Sequence, residues 1–129
     1  MCGIFAFISE NNIDEKNAYI LSEAARETKN RGPDNTVSRF IGRNKFIVFH
    51  RLSINDLSSD GNQPITHPDF YEYTLICNGE IYNWKELALK YQVDLKSKSD
   101  CEIIIHLYEK IGMRKLVEEL DGVFSFIIF

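Results

Sequence analysis

The most reactive side chain in this sequence sits at its second position. Cys2 follows Met1 and precedes Gly3. Removal of Met1 would leave a thiol and a free amine on one residue. An α-amine titrates at about 7.7–8.0 and a thiol at about 8.5, so the amine can take the thiol proton near neutral pH and return it to a leaving group. Nucleophile and general base would then share a single residue. Gly3 would leave the backbone beside the thiol uncrowded. The plain alternative is that Met-Cys-Gly is merely how the chain begins.

Four other places could carry chemistry. Asn78-Gly79 lies between two apolar runs, where Asn-Gly is the strongest short signal for a hairpin turn. The same pair could form an oxyanion hole from the Asn78 amide and the Gly79 N–H, and losing one such donor costs roughly 2.7–4 kcal/mol of barrier. Arg51 closes the run His50-Arg51-Leu52-Ser53-Ile54, and its guanidinium could grip a carboxylate with two hydrogen bonds. As a solvated strand end it would do nothing. Asp100 stands at the start of a helical pattern, where it would suit the helix dipole or pair with a ligand ammonium. Glu80 could assist it or simply face water.

These residues need elements to hold them. Gly3 to Ile8 is a short apolar run and predicts a buried strand. Ala18, Leu21, Ala24, Ala25 and Thr28 recur at helical spacing, predicting a helix over Asp14–Lys29 with Asp14 as N-cap. Arg31-Gly32-Pro33-Asp34 has turn chemistry. Strands follow at Thr36–Ile41 and Lys45–Arg51, around a Gly42-Arg43-Asn44 turn. Asn55 to Asp69 is polar, holds Gly61, Pro64 and Pro68, and predicts a long loop. Tyr71–Cys77 predicts another strand. Asn83 with Glu86, and Ser99 with Glu102, have the spacing of capping boxes. They predict helices over Trp84–Tyr91 and Asp100–Lys110, the second ended by Gly112. A short helix, Met113–Leu120, and a last strand, Val123–Phe129, complete the pattern. Strands and helices mix without strict alternation, which favours α+β with antiparallel sheets over a doubly wound parallel fold.

Composition narrows the function classes. The chain has 129 residues, 44% hydrophobic and 26% charged, as an ordinary globular domain has. Its formal charge is −4, and the basic residues form no stripe, which disfavours a nucleic-acid partner. No apolar run approaches the roughly 20 residues that cross a bilayer, and the N-terminus lacks the pattern of a secretory signal. Cys2, Cys77 and Cys101 are an odd, widely spaced set. That argues against a disulfide framework or a zinc site and for reduced thiols in the cytoplasm, with Cys77 and Cys101 as small buried hydrophobes.

Taken in order, seven segments resemble a known family. They are Cys2-Gly3-Ile4, Arg31-Gly32-Pro33-Asp34, His50-Arg51-Leu52-Ser53-Ile54, Gly61-Asn62-Gln63-Pro64, Asn78-Gly79-Glu80-Ile81-Tyr82-Asn83, Ser99-Asp100-Cys101-Glu102 and Leu120-Asp121-Gly122-Val123-Phe124. The series closely resembles the glutaminase domain of glutamine-hydrolysing asparagine synthetases, which are class II, N-terminal nucleophile amidotransferases. Asn30 and Asn62 depart from the family pattern at places remote from the expected chemistry.

The resemblance implies a four-layer αββα sandwich and a set of roles. Cys2 would be the nucleophile, and Asn78 and Gly79 the oxyanion hole. Arg51 would bind the α-carboxylate of glutamine, and Asp100 with Glu80 its α-ammonium. Backbone of Leu52, Ser53 and Ile54 would line the pocket. The glutaminase step needs no metal or cofactor; ATP and magnesium would belong to a synthetase domain, on the same chain or another, and the full enzyme would be a homodimer. The resemblance implies a longer domain, so residues 1–129 would be a partial glutaminase domain; the apolar seam Phe124–Phe129, with no charge or proline to guard it as an edge, agrees. A non-catalytic amidotransferase-like module that binds an amino acid or a partner is the competing expectation.

Overall fold

A computed structural model describes residues 1–54, 56–67 and 70–129, the side chains of Phe70 and Tyr71 excepted. Asn55, Pro68 and Asp69, all in the loop expected over 55–69, lie outside the described residues. The chain divides into two compact units, Met1–Leu52 and Ser53–Phe129. Each holds one three-stranded antiparallel sheet, in keeping with the α+β expectation. No helix among the described residues is long and apolar enough to cross a membrane.

The first unit contains β1 (Gly3–Ile8), α1 (Glu15–Arg26), β2 (Asn35–Ile41) and β3 (Lys45–Arg51), with strand order β1-β3-β2. Three of these elements fall within a residue of their expected bounds, and α1 is shorter at its C-terminal end. Asp14 is its N-cap: Oδ1 accepts the Asn17 N–H at 2.7 Å, a bond worth about 1 kcal/mol. Side chains alternate along β3, so Phe46 and Val48 pack with Ala25 of α1. His50 extends that face. Its Nε2 donates to the Ala25 carbonyl at 2.9 Å, since a carbonyl can only accept. Its Nδ1 lies 2.8 Å from the Thr36 hydroxyl. The Arg31-Gly32-Pro33-Asp34 turn presses on the end of β3. A β-carbon at Gly32 would overlap the His50 carbonyl, and Asp34 N–H donates to the Arg51 carbonyl at 3.0 Å.

The second unit contains β4 (Ile65–His67), β5 (Phe70–Ile81), α2 (Trp84–Lys90), α3 (Glu102–Glu119) and β6 (Gly122–Ile128), with strand order β4-β5-β6. Leu75, Cys77 and Ile81 of β5 form its core with Ile103, Leu107 and Leu116 of α3. Cys101, at the head of α3, is buried in the same cluster.

Several expectations need correction here. Asn78-Gly79 makes no turn. It lies inside the twelve-residue β5, paired with Ser125 and Phe124 of β6. Pairing with a strand more than forty residues away overrides the local turn preference. Gly79 is needed for closeness, because a β-carbon there would overlap the Val123 carbonyl and the Phe124 backbone. The helices expected before and after Gly112 both form within α3, which is broken at Gly112, where φ 74° and ψ 167° are not helical. Glycine tolerates that conformation, so the first helix stops there as expected and the second sets off across the kink. β4 was expected to be loop.

Neither capping box forms. Asn83 is the N-cap of α2 by position, but its side chain donates to the Glu119 carbonyl (2.9 Å) and accepts from Asp121 N–H (3.1 Å). Glu102 reaches back past Ser99 and accepts from Lys96 N–H (2.8 Å), Ser97 N–H (2.7 Å) and the Ser97 hydroxyl. Gln63 performs a related task on β5. Its Oε1 accepts the Cys77 N–H at 2.6 Å and its Nε2 donates to the Cys77 carbonyl at 3.0 Å, so one buried side chain stands in for a pairing strand.

Two outcomes follow from these buried polar groups. Burial pushes the Glu102 carboxyl up, but hydrogen bonds from His106, Ser97 and the Lys96 and Ser97 backbone outweigh it and hold the group down to about 2. A lowered carboxyl stabilises the fold fully above its ordinary range near 4.5, and that contribution fades as pH falls towards about 2. Glu102→Gln should lower stability at neutral pH by about 2–3 kcal/mol and flatten the loss of melting temperature across that acid interval. Gln63→Leu leaves the buried Cys77 N–H and carbonyl without partners and should cost about 2–4 kcal/mol in denaturant unfolding.

Candidate active site

In the first unit, the end of the β1–β3 ladder brings Cys2 and Arg51 together. Gly3 pairs with His50, so one step further sets Cys2 opposite Arg51, at the same end of the sheet. The Cys2 sulfur lies 3.3 Å from the Leu52 N–H, which donates to it, and 3.6 Å from the Leu52 carbonyl. Arg31 Nε donates to the Cys2 carbonyl at 3.1 Å. The thiol is thus seated between the backbone groups of Leu52, while its own backbone is pinned by the Arg-Gly-Pro-Asp turn. Arg51 is buried to 8% exposure. A cation so little exposed is screened weakly, which suits it to bind an anion.

In the second unit the site is built on one edge of β5. Backbone N–H and C=O groups of successive residues in a strand point to opposite sides. Thr74 exchanges hydrogen bonds with Phe129, and Tyr82 donates to Asp121, so the even residues face β6. The odd residues face the other way. Leu75 pairs with Ile65 of β4, Cys77 is held by Gln63, and Ile81 N–H donates to Asp100 Oδ2 at 2.6 Å. Gly79 N–H points to this same edge, past the end of β4, so neither neighbouring strand takes it. It stands between two fixed points, Gln63 on one side and Asp100 on the other.

The side chains alternate as well. Those of Cys77 and Ile81 enter the core with α3. Those of Asn78 and Glu80 share the opposite face. Asn78 Oδ1 is buried and has no hydrogen-bond partner among the described residues. A half-turn of an asparagine amide exchanges its oxygen and nitrogen, so this position can offer a ligand either an acceptor or a donor.

Glu80 and Asp100 meet in one cavity of about 580 Å³, which Tyr82, Trp84, Lys85 and Lys98 also line. That volume lies within the range of small-molecule sites, roughly 300–1,000 Å³. Asp100 is buried at 4% exposure, whereas Glu80 is exposed. Of the expected pocket backbone, Leu52 belongs to the first unit, and Ser53 and Ile54 to the second. Ser53 is half-buried and Ile54 exposed in a bend. The sequence had shown no role for Gln63, or for the Tyr82, Trp84 and Lys98 lining. The Gln-Pro motif was the available signal for Gln63, but nothing in it reveals a side chain acting as a strand.

Comparison with known proteins agrees along the whole chain. A model of the glutamine amidotransferase domain matches residues 1–129. The asparagine synthetase (glutamine-hydrolyzing) of Bos taurus is 41% identical over 133 residues, covering 99% of this chain and 22% of that protein. That of Triphysaria versicolor is 38% identical over 129 residues, covering 99% and 21%. A probable asparagine synthetase (glutamine-hydrolyzing) of Acanthamoeba polyphaga mimivirus is 36% identical over 131 residues, covering 99% and 23%. The chain therefore spans about a fifth of the length of the curated relatives it matches. The family match leaves none of the 129 residues outside it: this chain belongs to the glutamine amidotransferase domain family.

Proposed function

We propose that this chain is the glutaminase part of an asparagine-forming enzyme, and that it hydrolyses glutamine to glutamate and ammonia. The observation that carries this is the edge of β5, where the outward Gly79 N–H stands two residues from Ile81 N–H and its Asp100 clamp, beside a cavity holding two acids. Oxyanion donor and ammonium ligand thus lie on one strand edge, as an amino-acid amide would require.

The chemistry runs in two halves. With Met1 removed, the α-amine of Cys2 takes the thiol proton. The sulfur attacks the side-chain amide carbon of glutamine, and the carbonyl electron pair moves onto oxygen. Asn78 and Gly79 stabilise that oxyanion. The pair returns, the C–N bond breaks, and the amine delivers its proton to departing ammonia. A thioester is left on Cys2. Water, losing its proton to the same amine, attacks the thioester; glutamate leaves and the thiol is restored. Arg51 holds the α-carboxylate, Asp100 and Glu80 hold the α-ammonium, and backbone of Leu52, Ser53 and Ile54 lines the chain of the substrate. This half needs no metal or cofactor. Ammonia would pass to a synthetase domain, which would use ATP and magnesium to convert aspartate to asparagine, in a cytoplasmic homodimer.

Quenched intact-mass measurement tests this. Processed chain mixed with glutamine should show a mass gain of one glutamyl group, and Cys2→Ala should show none while glutamate release falls at least about a hundredfold. Glutamate release by Cys2→Ala at the parent rate would rule the mechanism out. Retained Met1 with no release would point instead to a binding module. Asp100→Asn keeps an acceptor for Ile81 N–H but removes the charge, and should raise the KM for glutamine about tenfold with a smaller change in kcat.

A further inference from the structure

Asp56 is a third buried carboxylate of this unit beside Asp100 and Glu102, 8% exposed, with no part in the chemistry above. Its Oδ1 accepts from Ser58 N–H (2.8 Å) and the Ser58 hydroxyl (2.6 Å). Its Oδ2 accepts from the backbone N–H of Lys98 at 2.9 Å, across 42 positions of sequence. Lys98 is two residues before Asp100 and lines the same cavity.

The segment that carries Asp100 has an unusual backbone. Four successive N–H groups, those of residues 96 to 99, all donate to side chains. Glu102 takes the first two and Ser97 Oγ takes the fourth, at 3.1 Å. Glu102 belongs to α3, so its two contacts tie the segment to the following helix, while Ser97 Oγ only curls it on itself. Lys98 N–H is the one of the four held from far away in the sequence, by Asp56. One residue on from Ser99, the Asp100 carboxylate is fixed to β5 through Ile81 N–H. The segment is therefore tied down on both sides of Ser99, at 98 and at 100. The bond at 98 fixes the backbone two residues before the Asp100 carboxylate, and the bond at 100 fixes the carboxylate itself.

We infer that Asp56 is a positioning residue for substrate binding: through Lys98 N–H it aims Asp100 at the α-ammonium of glutamine. This rests on the proposed role of Asp100. A carboxylate is suited to the task because its two oxygens accept three donors at once, and an amide has one acceptor oxygen for the same three.

Titration calorimetry of the full chain carrying Cys2→Ala, so that the ligand is bound without turnover, tests it with two ligands; this chain is the parent. One is glutamine; the other is glutaramate, the same molecule with hydrogen in place of the α-ammonium. The parent should prefer glutamine about tenfold or more. Asp56→Ala should weaken glutamine about tenfold yet leave glutaramate within about twofold, so the preference collapses. Asp56→Asn should fall between, and Ser58→Ala, which leaves the Lys98 contact in place, should match the parent. If Asp56→Ala does not fold by its melting curve, Asp56→Asn gives the answer alone. Equal weakening of both ligands, or an unchanged preference, overturns the positioning role. Loss of preference in Asp100→Asn but not in the Asp56 variants overturns it while sparing the ammonium role of Asp100. A parent that binds glutamine no better than glutaramate, or binds neither, overturns that role and this inference with it.

Discussion

Everything at the candidate site of the second unit depends on the alternation of β5. One residue spacing sends Leu75, Cys77 and Ile81 side chains into the core and Asn78 and Glu80 to the other face. The same spacing sends even backbone groups to β6 and odd ones to the opposite edge. A slip of one residue would bury Asn78 and Glu80 in the core, which no packing could repay. The core thus fixes the register, and the register fixes which N–H groups are left to face outward. Gly79 adds the final condition. Without a β-carbon it lets the β6 backbone approach closely at Val123 and Phe124.

Three buried acids then do work usually left to strands and helix caps. Asp56, Asp100 and Glu102 each accept backbone N–H groups, and Gln63 adds a neutral bidentate pair. A buried N–H without a partner costs about 1–3 kcal/mol, and a bond to a charged acceptor gains more than a neutral one. An irregular segment such as 96–100 can be buried only if something takes its donors. The acids take them and make the segment rigid in the same act. His106, packed edge-on against His67 at 4.7 Å between centroids, closes the cluster around Glu102.

Much of this architecture was legible in the sequence. β1 and β3 were readable from apolar runs, and α1 from its period and its Asp14 cap, because these depend on near neighbours. The misses share one physical cause. Asn78-Gly79 reads as a hairpin locally, but β6 decides its conformation from far along the chain. Ser99 and Glu102 have capping-box spacing, yet Glu102 finds stronger donors at 96 and 97. β4, three residues long, lies between two prolines, and the Gln63 clamp beside it leaves no periodic trace. The candidate site residues stand out as a set only through resemblance, whereas Gln63 and Asp56 hold backbone groups of Cys77 and Lys98, contacts that a sequence does not display.

The four charges around the cavity are not equivalent in weight. Glu80, Lys85 and Lys98 are exposed, whereas Asp100 is buried. Two unit charges 4 Å apart interact by about 1 kcal/mol in bulk water and about 4 kcal/mol at the effective dielectric near a protein surface. Salt screens exposed charges further, with a Debye length of about 8 Å at physiological strength. A cation entering this cavity would therefore feel Asp100 more strongly than any of the three exposed charges, one acid and two lysines. That advantage has a condition. An exposed side chain can swing to meet its ligand, but a buried one must already point the right way. The strength of the proposed ammonium site would thus be set less by the number of acids around it than by the backbone bonds that aim one of them.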